Sequence, residues 1–156
     1  MLEWMKDSRV NCFFRFNSKN VTIKTVTEFI NSYVQGKNNY HFAIADDNDI
    51  YQGTISLKNI NNDENTGEYA IALRYEAQGN GVGTFATKQV LKYAFETLNL
   101  NRVYLNVLSD NINAIKLYEK CGFIFEGESK ERIKLQGQLK SLKWYGILKE
   151  NYYANR

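Results

Sequence analysis

The chain contains no proline and only one histidine, His41, among its 156 residues. A single histidine leaves no histidine-rich zinc cluster. It also gives little room for a Ser-His-Asp arrangement, which needs an imidazole as its base. His41 lies in the apolar run Tyr40–Ala45, so a packing role is expected of it. The two cysteines, Cys12 and Cys121, stand far apart and are flanked by Phe13, Phe14 and Phe123. Buried, reduced thiols are expected of them rather than a disulfide. No apolar run has membrane length and no signal peptide is visible, so the default expectation is a cytoplasmic protein with no membrane partner. The lack of proline beside abundant Asn, Lys and Ile points to codon usage and carries no functional weight.

An excess of one charge sign is small as well. The net charge is +3, with Lys and Arg scattered among acids. Nucleic-acid binding calls for a clustered basic face, so no nucleic-acid partner is expected. Hydrophobic residues make up 44% and aromatics 14%, a composition that folds. The length suits one domain, residues 1–156.

What is present centres on Gln78-Gly79-Asn80-Gly81-Val82-Gly83. This glycine-rich stretch sits between a strand-like segment, 68–74, and a helical pattern that begins near Thr84. Backbone N–H groups at such a helix N-terminus, together with the helix dipole, favour an anion. Glycine tolerates positive φ and lets the backbone approach closely. The stretch lacks the Gly-Lys-Ser/Thr ending of a P-loop, and its glycine phase differs from Gly-x-Gly-x-x-Gly. Many glycine-rich turns bind nothing, so this segment alone leaves phosphate binding open.

Residues 2–10 read as a first helix, followed by the aromatic cluster Phe13, Phe14 and Phe16. Thr25 or Thr27 is placed to cap a second helix carrying Phe29, Ile30, Tyr33 and Val34 at helical spacing. Residues 36–39 read as a turn. Strands are expected at Tyr40–Ala45 and 50–57, joined by Asp46-Asp47-Asn48-Asp49. A polar loop over 59–66 and a strand over 67–74 follow. Residues 84–98 form a helix with Phe85, Val90, Leu91, Ala94, Phe95 and Leu98 on its apolar side. Then come a strand at Arg102–Leu108, a short helix over 111–120 with Gly122 at its C-terminal turn, and a strand over 123–128. A linking segment with a turn at Gly137 leads to a last strand over 142–148. Two N-terminal helices thus precede β-β-β-α-β-α-β-β, an α+β or α/β sandwich on a mixed sheet.

The second informative stretch is Asn111-x-x-Ala114-x-x-Leu117-Tyr118-x-x-x-Gly122-Phe123. Alone it is a capped helix with Ala114, Leu117 and Tyr118 facing the core, where Tyr118 would be packing. Combined with the Gln78-x-x-Gly81-x-Gly83 turn and the strand Val103-Tyr104-Leu105-Asn106-Val107 between them, it resembles the GNAT superfamily of acyl-CoA-dependent N-acyltransferases. The resemblance covers about residues 40–149. Residues 2–10 look like the first helix of the branch that acetylates ribosomal-protein N-termini and nucleotide-linked amino sugars.

The resemblance implies an α+β fold (α/β/α sandwich) with a mixed, mostly antiparallel central sheet flanked by helices. It implies acetyl-CoA as co-substrate, no metal, and a primary amine as acceptor. Backbone groups of Gln78, Gly79, Asn80, Gly81, Val82, Gly83 and Thr84 would hold the CoA pyrophosphate. Ile71, Ala72 and Leu73 would pair with the pantetheine amides as an added strand. A backbone N–H on that strand would stabilise the oxyanion. Tyr118 would be the general acid toward the leaving thiolate, and Asn111 would cap its helix and contact the CoA arm. Glu68 is the candidate base, with a water relay as the alternative and Glu76 as a lesser candidate. The acceptor stays open among a protein N-terminus, an amino sugar on a nucleotide carrier and a small amine such as a polyamine or antibiotic. Trp4, Phe13, Phe14, Phe16 and the 59–66 loop are expected on its side. A non-catalytic acyl-CoA-binding regulatory domain is the alternative function, and a homodimer is a possible assembly. Family members have a further strand ahead of the first helix. Either this chain lacks it or translation starts upstream, and Tyr40–Ala45 is then an exposed sheet edge prone to pairing.

Overall fold

The computed structural model describes residues 1–33 and 38–155. Helices α1 (Leu2–Met5) and α2 (Ser8–Asn11) open the chain, and α3 (Ile23–Tyr33) follows. Strands β1 (Tyr40–Ala45), β2 (Tyr51–Asn61) and β3 (Thr66–Leu73) lead to α4 (Val82–Lys92), which closes in a π-turn, Tyr93–Thr97. After β4 (Arg102–Leu108) come α5 (Ile112–Lys120), β5 (Ile124–Leu135), β6 (Gln138–Leu148) and α6 (Lys149–Ala154). The six strands form one sheet in the order β1-β2-β3-β4-β6-β5. All neighbours are antiparallel except β3 and β4. The expected α+β architecture and the order of its elements hold. β1 is one edge of the sheet, paired with β2 alone among the described residues.

One sheet face meets α4 and α5 over a core of Leu57, Tyr69, Val103, Leu105, Val107, Tyr145 and Ile147. Helix α4 contributes Ala86, Val90 and Leu91, and the π-turn adds Ala94 and Phe95. Phe85, expected on that apolar side, is 66% exposed in the first turn. Gly83 lets α4 sit tightly, since a Cβ there would stand 3.2 Å from both Leu117 and Leu73 side-chain carbons. Beneath it the Tyr69 hydroxyl lies 2.7 Å from Thr87 Oγ, which donates to the Gly83 carbonyl at 2.6 Å. A bonded polar chain of this kind fixes the helix on the strand without leaving a buried group unpaired.

Several boundaries differ from expectation for local reasons. The first helix breaks because Asp7 caps a new one, accepting from Arg9 N. Thr22, rather than Thr25 or Thr27, begins α3, and it exchanges hydrogen bonds with Thr25. Phe29 and Ile30 are largely exposed on that helix. Val34, Gly36 and Lys37 lie outside the described residues. Strand β2 runs to Asn61, and Asn61 Oδ1 then turns the chain by accepting from Asp63 and Glu64 N–H groups. Residues 123–148 form a long hairpin instead of two strands and a link. Gln136 and Gly137, both at positive φ, make its tight turn. Its charged arms, such as Lys130-Glu131-Arg132, hid the strand pattern. Helix α6 was not foreseen, and it is held by Tyr152 against Phe95 at 4.9 Å. Both cysteines are free, yet Cys12 is exposed and Cys121 half-buried, which corrects the expectation of two buried thiols.

Candidate active site

Strands β3 and β4 run parallel for only three register pairs, Thr66 with Arg102, Gly67 with Val103 and Glu68 with Tyr104. Beyond Glu68 the ladder ends and the strands part. Residues 69–73 keep β2 on one side, while their other side opens into a cleft. The cleft has a volume of about 830 Å³. An unpaired strand flank of this kind offers backbone donors and acceptors to an extended, amide-bearing ligand. Ile71, Ala72 and Leu73 line it.

At the end of β3 the chain turns through Tyr75–Ala77 into the glycine loop. Gly79 and Gly81 adopt φ of +76° and +84°, and Gly81 is the N-cap of α4 with no side-chain cap. The first N–H groups of α4 therefore have no side-chain partner, the state in which a helix start attracts phosphate. Gln78, Gly79, Gly81, Gly83 and Thr84 line the cleft. The Asn80 and Val82 side chains are engaged elsewhere. Asn80 Nδ2 donates to the Glu76 carbonyl at 2.9 Å, and Val82 packs on the core. Val82 offers a ligand only its backbone, and Asn80 its backbone and amide oxygen. The residues present fit the CoA arm.

Tyr118 reaches the fork from α5. Its ring sits edge-on to Tyr69 at 5.7 Å and to Phe123 at 6.0 Å. The residue is 7% exposed and lines the cleft. Among the described residues no protein group accepts its hydroxyl proton. Burial pushes its phenol well above the usual value, and the Arg15 charge pulls the other way. The hydroxyl therefore stays protonated across the neutral range. Asn111 is the N-cap of α5, its Oδ1 accepting from Ala114 N at 3.3 Å, and it lines the cleft too. Both roles expected of it are compatible.

Glu68 stands where the strands part. Its Oε1 pairs with Lys58 Nζ at 3.2 Å and its Oε2 accepts from Asn59 Nδ2 at 2.7 Å. Glu76 lies outside the cleft lining, bound to Arg74 and Arg9.

The opposite end of the cleft is built by the N-terminal segment. Phe14 and Phe16 stack at 4.9 Å, and Trp4 meets Phe14 edge-on at 6.2 Å. Facing them is a floor of small residues, with Thr54 opposite Ala72 and Ser56 opposite Ala70. His41 donates to or accepts from Ser56 Oγ at 2.6 Å and lines the same end. Burial and then Lys58 push its imidazole pKa down. The aromatic side was anticipated, but the expected 59–66 loop does not line the cleft. Arg15 and Asn106, which hydrogen-bond to each other here, were not foreseen. The one available signal for Arg15 was a cation set inside an aromatic run, Phe13-Phe14-Arg15-Phe16.

A family model described as an acetyltransferase (GNAT) domain matches residues 1–124. The spermidine N(1)-acetyltransferase of Vibrio cholerae is 31% identical over 125 residues, 80% of this chain and 72% of that protein. The putative ribosomal N-acetyltransferase YdaF of Bacillus subtilis is 31% identical over 104 residues, 67% of this chain and 57% of that one. Among solved structures, spermidine N-acetyltransferase from Vibrio cholerae in complex with CoA and spermine superposes with a TM-score of 0.89 at 26% identity. The match covers 97% of this chain and 89% of that one. Among the described residues no cluster of His, Cys, Asp and Glu is arranged to hold a metal ion, and no helix is long and apolar enough to cross a membrane.

Proposed function

The chain belongs to the GNAT acetyltransferase family and is an acetyl-CoA-dependent N-acetyltransferase, and from that premise we propose how its residues divide the work. The observation that carries the proposal is the fork after Glu68, into which the cleft-lining Tyr118 opens with no partner for its hydroxyl among the described residues. The pantetheine arm of acetyl-CoA lies along residues 71–73, with its pyrophosphate on the N–H groups of 78–84. The acceptor amine enters from the aromatic end.

The amine nitrogen attacks the thioester carbonyl carbon, and the carbonyl electrons move onto oxygen. A backbone N–H of β3 stabilises that oxyanion, a contribution typically of about 3 kcal/mol. Collapse re-forms the carbonyl and breaks the C–S bond. The thiolate takes its proton from Tyr118. The proton lost by the amine goes to Glu68, whose carboxylate keeps free lone pairs beside Lys58 and Asn59. The non-catalytic alternative finds no support, since the relatives named above are transferases.

Two acceptor classes have specific support. The likeness to spermidine N-acetyltransferases favours a polyamine. The lining of the acceptor end, rich in donors and cations, favours an amine that carries oxygen. The proposal includes self-association, as the Vibrio cholerae enzyme has a dodecameric structure. Free-thiol release from acetyl-CoA, measured against polyamines, amino sugars and N-terminal peptides, tests the assignment. Acceptor-dependent release supports it. Intact acetyl-CoA binding with silence across all three classes would count against it.

A further inference from the structure

The N-terminal segment reaches from one side of the fork to the other. Arg9 on α2 meets the turn that follows β3, and Arg15 bonds to Asn106 on β4. From the same segment Trp4, Val10 and Phe14 line the acceptor end of the cleft. Trp4 also stacks on Tyr51 of β2 at 6.3 Å.

The Arg9 tie has several parts. Its Nε and Nη2 both donate to the Asp7 carboxylate, with Nε 2.9 Å from Oδ1. That carboxylate is fixed in turn, because it caps α2 by accepting from Arg9 N. The guanidinium face lies over the Tyr75 ring, 3.9 Å from its centroid. Nη2 also reaches Glu76 Oε1 at 3.3 Å. Glu76 is held from its other side by Arg74 Nε at 3.2 Å, and its carbonyl accepts from Asn80 Nδ2 at 2.9 Å. Asn80 belongs to the glycine loop. A continuous run of contacts thus leads from the acceptor wall, through Arg9 and Glu76, to the loop proposed to carry the pyrophosphate.

Neither Arg9 nor Glu76 lines the cleft, so neither is placed to touch a substrate. The cluster is charge-balanced, Asp7 and Glu76 against Arg9 and Arg74, and holds no spare cation for a phosphate. The Arg9 and Glu76 side chains are 51% and 54% exposed. Exposed ion pairs are individually weak, and a cation–π contact adds a comparable amount. Such a clasp opens readily, and whatever fixes one half of it favours the closed form. A phosphate on the N–H groups of 78–84 fixes the loop and, through Asn80 and Glu76, the half that Arg9 meets.

We propose that Arg9 is a positioning residue that couples the two substrate sites, drawing the acceptor wall closed when the donor loop is occupied. The inference rests on the acetyltransferase reading of the glycine loop and adds a link between its donor and acceptor ends.

The chain has two tryptophans, and Trp144→Phe leaves Trp4 as the single reporter in the acceptor wall. Acrylamide quenching of Trp4 fluorescence is measured on that parent protein with and without saturating CoA, with occupancy checked by calorimetry. CoA should lower the quenching, and Arg9→Gln should abolish that response. By linkage, loss of the clasp should also weaken CoA binding by roughly 3- to 10-fold, the range of one exposed pair with one cation–π contact. Arg9→Lys keeps the charge without the flat fork and should restore the response only in part. Glu76→Ala should match Arg9→Gln, and the double variant should add nothing further. Without CoA, the parent and Arg9→Gln should quench to a similar degree, since Tyr51 and Phe14 still hold Trp4. A Trp4 fully open to quencher in both Arg9→Gln and Glu76→Ala would make the cluster mere packing and overturn the proposal. Bound CoA that leaves the parent's Trp4 unchanged overturns it too, as does a response that Arg9→Gln retains. If CoA does not bind the parent at all, the donor-loop reading falls and the coupling with it.

Discussion

Replacing Tyr118 with Phe removes one oxygen and leaves the ring against Tyr69 and Phe123. No described protein group is left without a partner, so the cost to stability should be small, within about 0.5–1 kcal/mol. For a chain of this size that is a fall in Tm of roughly 1–4 °C. The cost to turnover should be large. A positioned acid contributes about 10²–10⁴ in rate, or roughly 3–5 kcal/mol of barrier. Because the loss arises when the thiolate leaves, kcat should fall while acetyl-CoA affinity holds. The direction of the phenol's shift adds a pH signature. Burial favours the neutral form, so the acid stays protonated below its ordinary pKa of about 10. Wild-type activity should rise with pH as the acceptor amine loses its proton and show no falling limb below about pH 10. Thiol release across pH, calorimetry and a melting curve give all three readings. A kcat within threefold of wild type would refute the acid role. A Tm loss of many degrees would make Tyr118 a packing residue whose kinetic effect is indirect.

Two further substitutions probe the rest of the site. Glu68→Gln should lower kcat at pH 7 by roughly 10²-fold, and the deficit should shrink at high pH, where the amine needs no base. A deficit constant across the pH–rate profile would reduce Glu68 to positioning Lys58 and Asn59. Gly81→Asp should weaken acetyl-CoA binding by roughly two orders of magnitude. A carboxylate about 5 Å from the pyrophosphate costs about 3 kcal/mol at an effective dielectric near 20. A Cβ at Gly81 meets no atom within 4 Å, so steric contact adds nothing, though its φ of +84° adds backbone strain. Unchanged affinity by calorimetry would remove the glycine loop from the donor site.

The sequence carried the donor half of the site more clearly than the acceptor half. Gly79, Gly81 and Tyr118 sit in contiguous motifs whose chemistry is local, a loop at positive φ and a residue on one helix. Arg15 and Asn106 lie 91 positions apart and meet only when β4 passes beneath the N-terminal segment, which no local period encodes. The same holds for the small-residue floor of the cleft, where Thr54 and Ala72 become partners through strand register. In the fold, Asp46 announced its turn because its own carboxylate closes it, accepting from Asn48 and Ile50 N–H groups. The β5–β6 hairpin stayed hidden because the charged run Lys130-Glu131-Arg132 interrupts β5, leaving only Ile133 and Leu135 to alternate in its outer arm.

The three-pair seam between β3 and β4 also has a thermodynamic reading. It divides the sheet into β1-β2-β3 and β4-β6-β5, halves joined along one short ladder and by the helices beneath. In the proposed binding mode the substrate in the fork supplies backbone partners the polypeptide lacks, so part of its binding free energy would become cohesion between the halves. At a hundredfold excess over Kd, a ligand bound only to the native state stabilises it by about 2.7 kcal/mol. Amide hydrogen exchange should show that gain concentrated in residues 69–73, and equal protection across the whole sheet would speak against it. Read this way, the donor is also a structural component, and the supply of acetyl-CoA sets how long each molecule resists opening.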